Sequence, residues 1–208
     1  MSLIQHVHGG YVHQRRVRVL SDHLTELIPR DARVLDVGCG DGLLAYLIMQ
    51  TRGDIDLQGI DVLVRDQTHI PLAAFDGRII PYGDASFDVV MFVDVLHHAK
   101  DPMILLREAV RTARKAIVIK DHTRDGWLAG PTLRFMDWVG NARHGVKLPY
   151  NYWPKRKWLE TFDILDLTIG VWKKDLGLYP RPVNWLFERS LHFIVRLDLN
   201  RKQGGESC

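Results

Sequence analysis

The stretch Val34-Leu35-Asp36-Val37-Gly38-Cys39-Gly40-Asp41-Gly42 constrains the fold more than any other part of the chain. A short apolar run ends in an acid, glycines follow at alternate positions, and Leu43-Leu44-Ala45-Tyr46-Leu47-Ile48 begins a helical pattern. Strand, tight turn and helix in that order are the opening unit of an open α/β sheet. The glycines permit a sharp turn and let backbone approach a ligand with no Cβ in the way. Asp36 and Asp41 make the loop acidic. An acidic loop repels a pyrophosphate and attracts a cation. Dinucleotide loops read Gly-x-Gly-x-x-Gly. Here the third glycine comes one position early, at Gly42, and Leu43 stands where that pattern wants Gly or Ala.

The alternation continues along the chain. Val17, Leu20, Leu24, Leu27 and Ile28 follow helical spacing and predict a helix over 13–28, ended by Pro29. Strands are predicted at 33–37, 55–60, 78–80, 87–93 and 115–120, with helices at 41–51, 63–68 and 102–112 between them. The run Phe-Asp-Val-Val-Met-Phe-Val at 87–93 suits a strand covered on both faces. Pro102 stands at a favoured helix start. Strand and helix in alternation imply a parallel, doubly wound sheet, whose ligands sit beyond the carboxyl ends of the strands. Asp36, Asp61, Asp94 and the pair Asp121-His122 all fall at such ends.

After the fifth strand the pattern changes. Residues 122–153 show no strand but carry Gly126, Gly130, Pro131, Gly140, Gly145 and Pro149. Leu133, Met136, Trp138 and Val139 suggest one helix within them. Long insertions of this kind are usually functional, and residues 123–153 are expected to form a lid over the mouth of the site. Trp127, Phe135, Trp138, Tyr150, Tyr152 and Trp153 would line an acceptor pocket or form the core that holds the insertion down. Substitutions at Trp138 and Tyr152 are expected to alter acceptor affinity more than cofactor affinity. A further helix passes through 158–162, strands follow at 164–171 and 191–199, and 201–208 reads as a frayed tail. The whole chain, 1–208, is expected to be one domain, with 1–30 as an N-terminal helical cap.

Bulk properties narrow the partners. Met1–His6 has no basic region followed by an apolar core, so no signal peptide is expected, and no run of 18 or more apolar residues occurs, so no membrane span is expected. Cys39 and Cys208 are the only cysteines. One lies in the glycine loop and one at the terminus, which fits a reducing, cytoplasmic setting without a disulfide. Residues 1–100 hold 9 Lys+Arg against 13 Asp+Glu, whereas residues 101–208 hold 19 against 12. The basic half could face an anionic substrate, nucleic acid or a membrane surface, or be solvated side chains. With no basic block of five to eight residues, a nucleic-acid partner is not expected. No His, Cys and Asp cluster has metal-ligand spacing, so no metal is expected. The oligomeric state is open.

Asp36 to Gly42 resembles the first motif of class I S-adenosylmethionine (SAM) methyltransferases, Asp-x-Gly-x-Gly-x-Gly. Ile80-Pro81-Tyr82-Gly83-Asp84-Ala85-Ser86-Phe87-Asp88 and Asp94-Val95-Leu96-His97-His98-Ala99-Lys100-Asp101-Pro102 resemble two further signatures of the type 11 small-molecule branch. The resemblance covers residues 33–121 and implies a Rossmann-like methyltransferase sheet, mostly parallel with an antiparallel last strand. It implies SAM as cofactor, held by Asp36, Gly38, Cys39, Gly40, Asp41, Asp61, Val62, Asp76, Gly77, Val93 and Asp94. Asp61 would receive the ribose hydroxyls, and Asp76-Gly77 would meet the adenine. Arg15 or Tyr11 would meet the methionine carboxylate. The implied activity is methyl transfer to oxygen or carbon of a small apolar or aromatic acceptor. The Asn/Asp-Pro-Pro-Tyr/Phe motif for nucleobase amines is absent after the fourth strand. An RNA or protein methyltransferase and a SAM-binding module without transfer activity are the alternatives. For a hydroxyl acceptor a base is needed, and His97, His98 and His122 are the candidates, because imidazole titrates near neutrality.

Overall fold

The computed structural model describes backbone over residues 3–141, 150–180, 184–188 and 191–200, and side chains within those ranges at 14–136 and from 150 onward, Leu186 aside. Strands β1 (Arg33–Val37), β2 (Asp56–Asp61), β3 (Leu72–Ala74), β4 (Phe87–Val93), β5 (Ala113–His122), β6 (Leu167–Lys173) and β7 (His192–Leu199) form one sheet in the order β3-β2-β1-β4-β5-β7-β6. The first five pair parallel, and β7 lies antiparallel between β5 and β6. This is the Rossmann-like arrangement expected, with the reversed strand inserted beside β5. Helices α1 (Leu3–Thr25), α2 (Leu43–Thr51), α3 (Pro102–Thr112), α4 (Ala129–Asn141), α5 (Lys155–Ile164) and the short α6 (Asn184–Phe187), with a 3₁₀ turn at Leu96–His98, complete the described elements. None of these helices is long and apolar enough to cross a membrane.

The two faces of the sheet follow from the period-two alternation of side chains. Val34, Val89, Met91, Ala116 and Val118 pack with Leu20, Leu24, Ala45 and Ile48 of α1 and α2. Leu35, Val37, Val90, Phe92, Ile117 and Ile119 pack with Leu105, Leu106, Trp158 and Phe162 of α3 and α5. Burial on both faces is why β4 reads as a continuous apolar run. Asp101 caps α3 by accepting from the Met103 N–H at 3.0 Å, with Pro102 in the first turn.

Between β2 and β4 two expectations fail. No helix forms at 63–68. Instead Asp61 Oδ1 accepts from the Leu63 N–H at 2.9 Å, and the His69 N–H donates to the Asp41 carbonyl at 2.8 Å. The segment is tied to the glycine loop and makes no hydrogen-bond ladder of its own. The strand predicted at 78–80 is also absent. Asp76 Oδ1 accepts from the N–H groups of Arg78 and Ile79, each at 2.8 Å, curling the chain past Gly77 at φ +75°. The Ile80 N–H then donates to Glu108 at 2.9 Å. The third strand is Leu72–Ala74, three residues with no alternation to betray them, made a strand by pairing with β2. Helix α1 starts ten residues earlier than its apolar pattern indicated, at Leu3. The 201–208 tail and the side chains of Tyr11 and Trp138 lie outside the described residues.

Candidate active site

The three glycines of the β1–α2 loop perform different tasks. All have left-handed backbone, with φ +76° at Gly38, +63° at Gly40 and +76° at Gly42. A Cβ on Gly38 would lie 2.5 Å from Val95 Cγ2, and one on Gly42 would overlap the Ile70 side chain. One on Gly40 would meet nothing within 4 Å. The outer glycines are therefore required by the protein's own packing, and the middle one faces open space. Asp61 fixes that middle position, accepting from the Gly40 N–H at 2.8 Å. Cys39 packs into the notch left by Gly59. Burial, with Asp36 and Asp61 nearby, pushes its thiol above the ordinary range, so it is not a thiolate nucleophile.

The loop opens onto a cavity of about 540 Å³, within the range of small-molecule sites. Asp36 lies in its wall, 2% exposed, and its Oδ1 has no hydrogen-bond partner. Burial, and then the charge of Asp61, raise its carboxyl to about 7. A partnerless buried carboxylate oxygen is costly unless something cationic or donating meets it. The cavity wall offers the place for such a group.

A charged cluster stands opposite. Asp94, at φ +58°, pairs with Arg16 of α1 and with the fully buried Lys120 of β5. Burial opposes its ionisation, but Lys120 and Arg16 hold its carboxyl well below the usual range. Period-two alternation puts Lys120 and His122 on one face of β5 and Asp121 on the other. Asp121 Oδ1 nevertheless gathers two imidazoles, with His97 Nδ1 at 2.8 Å and His122 Nδ1 at 3.3 Å, and accepts the His122 N–H at 2.8 Å. His97, and then the hydrogen bonds from both imidazoles, hold Asp121 ionised despite its burial. His122 is lowered to about 4 by burial and then by Lys120, so it is neutral at pH 7. The His98 ring lies 4.0 Å from that of His97, centroid to centroid. His97, Asp121 and His122 each bring a ligand-type atom within 4.8 Å of the others, a cluster that sequence spacing could not show. Here it is closed by hydrogen bonds onto Asp121.

Asp36, Gly38, Cys39, Gly40, Asp41, Val93, Asp94, His97, His98 and His122 all line this one cavity. Asp61, Val62, Asp76 and Gly77 do not. Asp61 holds the loop through the Gly40 N–H, and exposed Val62 lies beside Gly77, at the 3.0 Å contact a Gly77 Cβ would make. Sequence reasoning pointed to Arg15, whose guanidinium donates to the Gly177 carbonyl at 3.2 Å. The cavity takes Arg16 instead, together with Val17 and Leu20. The signal was available, since Arg16 lies one helical step of four before Leu20. Tyr179 and Met136 also line the cavity, and no local motif marks either. Tyr152 does not line it. Its ring stacks on His97 at 5.4 Å and its hydroxyl donates to the Leu133 carbonyl at 3.1 Å, so it braces the site from behind.

A family model for a methyltransferase domain matches residues 11–168. The chain belongs to that methyltransferase-domain family. It is 36% identical over 110 residues to the 27-O-demethylrifamycin SV methyltransferase of Amycolatopsis mediterranei, covering 46% of this chain and 40% of that protein. It is 26% identical over 140 residues to the 2-methyl-6-phytyl-1,4-hydroquinone methyltransferase of Synechocystis, covering 62% and 39%. The chain thus spans about two fifths of the length of these relatives. An S-adenosylmethionine-dependent methyltransferase of Mesorhizobium loti has a similar fold, with TM-score 0.63 and 17% identity over 85% of this chain and 96% of that one.

Proposed function

We propose that the protein transfers the methyl group of SAM to an oxygen or carbon of a small, apolar or aromatic acceptor. The observation that carries this is the partnerless, buried Asp36 oxygen in the wall of a cavity that also holds three histidines. SAM fits the donor set. Asp36 would receive its ammonium, Arg16 its carboxylate, and the Gly40 backbone, free of any Cβ, would lie against it. Asp61 would use its remaining lone pairs on the ribose, and the edge formed by Val62, Asp76 and Gly77 would take the adenine. When bound, SAM supplies an electrophilic methyl on a sulfonium, and the protein contributes alignment and a base.

His97 is the preferred base. Its Nδ1–H is donated to Asp121, which leaves the imidazole lone pair on Nε2. His122, held neutral with a conjugate acid near 4, is the weaker proton acceptor. Met136 of α4 reaches the cavity, which supports the described part of residues 123–153 as a lid over the acceptor; residues 142–149 lie outside the described residues. The names of the rifamycin and hydroquinone relatives support an oxygenated ring system as acceptor class. Calorimetric titration with S-adenosylhomocysteine tests the cofactor, and absence of binding at millimolar ligand would refute it. A metabolite screen for mass gain of one methylene unit tests the acceptor. Product formed on RNA or a protein substrate alone would overturn the small-molecule reading.

A further inference from the structure

Between β6 and α6 the segment 174–180 forms neither helix nor strand, yet side chains from two other elements hold its backbone. Glu188, 8% exposed, follows α6 and accepts through one carboxylate oxygen from the N–H groups of Gly177 and Leu178, the latter at 3.1 Å. Arg15 of α1 donates to the Gly177 carbonyl, and His23 Nε2 of the same helix donates to the Leu176 carbonyl at 3.0 Å. Leu176 and Leu178 are buried in the core against α1. Asp175 and Gly177 take left-handed backbone, at φ +53° and +69°. Burying a carboxylate and placing a non-glycine residue at positive φ both cost free energy. Here both serve to fix one loop conformation.

What the fixed loop presents is Tyr179. Its ring packs against those of Phe187 and His192, each 5.8 Å away between centroids, and lines the cavity with Arg16, Asp94 and His122. Among the described residues its hydroxyl makes no hydrogen bond. Burial pushes the phenol above its ordinary range, against the opposing charge of Arg16, so the hydroxyl stays a protonated donor near that guanidinium. Asp94 is paired with two cations, Arg16 and the buried Lys120. Lys120 therefore still neutralises Asp94 when Arg16 turns to a ligand anion. A guanidinium and a phenol together suit a carboxylate, which accepts a charge-assisted hydrogen bond from each. We propose that Tyr179 donates to the carboxylate of the cofactor's amino-acid tail beside Arg16, and that Glu188 is the positioning residue that holds it there. The inference rests on the SAM reading.

The test is calorimetric titration of the full chain with S-adenosylhomocysteine and with 5′-methylthioadenosine, a nucleoside thioether that lacks the amino-acid tail. Tyr179→Phe should weaken binding of the first about tenfold or more and leave the second within about twofold. Glu188→Ala should weaken the first to a similar degree. Glu188→Gln, which keeps a carbonyl oxygen to accept from Gly177 and Leu178, should restore most of that affinity. Equal weakening of both ligands by Tyr179→Phe, or no change in either, would overturn the proposal while the wild-type chain still binds S-adenosylhomocysteine. A wild-type chain that binds neither ligand would refute the cofactor reading itself, and this inference with it.

Discussion

The glycine-loop end of the cavity and its histidine end are built by different means. At the glycine-loop end, Asp36 and Asp61 lie on the paired strands β1 and β2, Gly38 and Gly40 lie in the loop that follows β1, and bonds such as Gly40 N–H to Asp61, 21 residues apart, join them. At the histidine end, Lys120 meets His192 across 72 residues at 3.4 Å, and the Trp158 indole donates to the His122 carbonyl across 36 at 3.1 Å. The first end is a local turn carried by backbone conformation. The second is a buried polar cluster assembled by β5, β7 and the insertion. Damage should therefore be local and predictable at the first end, and should spread at the second.

The sharpest way to break the comparison is a pair of glycine variants. Gly38→Val puts a branched side chain into Val95 at positive φ and should cost roughly 3 kcal/mol or more of stability, read as a large fall in Tm. Gly40→Val should lower Tm much less yet abolish S-adenosylhomocysteine binding in calorimetry. If both variants melt alike and bind alike, the division of labour in the loop is wrong.

At the histidine end, His97→Ala should lower kcat by about 10²- to 10⁴-fold, the usual worth of a general base, with cofactor affinity changed only a few fold. Asp121→Asn should give a smaller loss and a displaced pH–rate profile, as a positioning residue would. His122→Ala giving the larger kcat loss would transfer the role.

Asp36→Asn addresses the buried acid. With its carboxyl raised to about 7, the folded state keeps a proton that the unfolded state releases above its ordinary carboxylate pKa, near 4. Stability contributed at this site is thus greatest below pH 4, declines as pH rises to about 7 and is flat above. Relative to wild type, the Asn variant should gain up to about 4 kcal/mol between pH 4 and pH 8 in denaturant unfolding. It should nonetheless bind S-adenosylhomocysteine about tenfold or more weakly. No gain with pH would show that Asp36 is ionised at little cost. Asp61→Ala is expected to weaken cofactor binding by about 1.5–3 kcal/mol. Unchanged affinity there would remove Asp61 from both the ribose and the loop.

The sequence located the glycine loop well because its determinants are local. Alternate glycines, an acid at a strand end and period-two apolar residues state their geometry in a few consecutive letters. It mislocated the third strand for the complementary reason. Leu72–Ala74 carries no pattern, and Asp76 turns 76–79 into a cap whose ladder the chain alone does not reveal. Arg16 replaced Arg15 at the cavity because one residue around a helix is a turn of about 100°, and the neighbouring β6–α6 segment fixed which arginine faces in.

By itself, then, the sequence determined the sheet, the turn that opens it and the residue types at each strand end. Only the tertiary structure decided that His97 and His122 share Asp121, that Lys120 is buried against Asp94, and that Tyr152 braces His97 without lining the cavity. Backbone conformation is set by neighbours in the chain. The environment of a buried charge is set by whatever packs against it, and those groups come from β7, α4 and the return through Tyr152, which no local spacing connects.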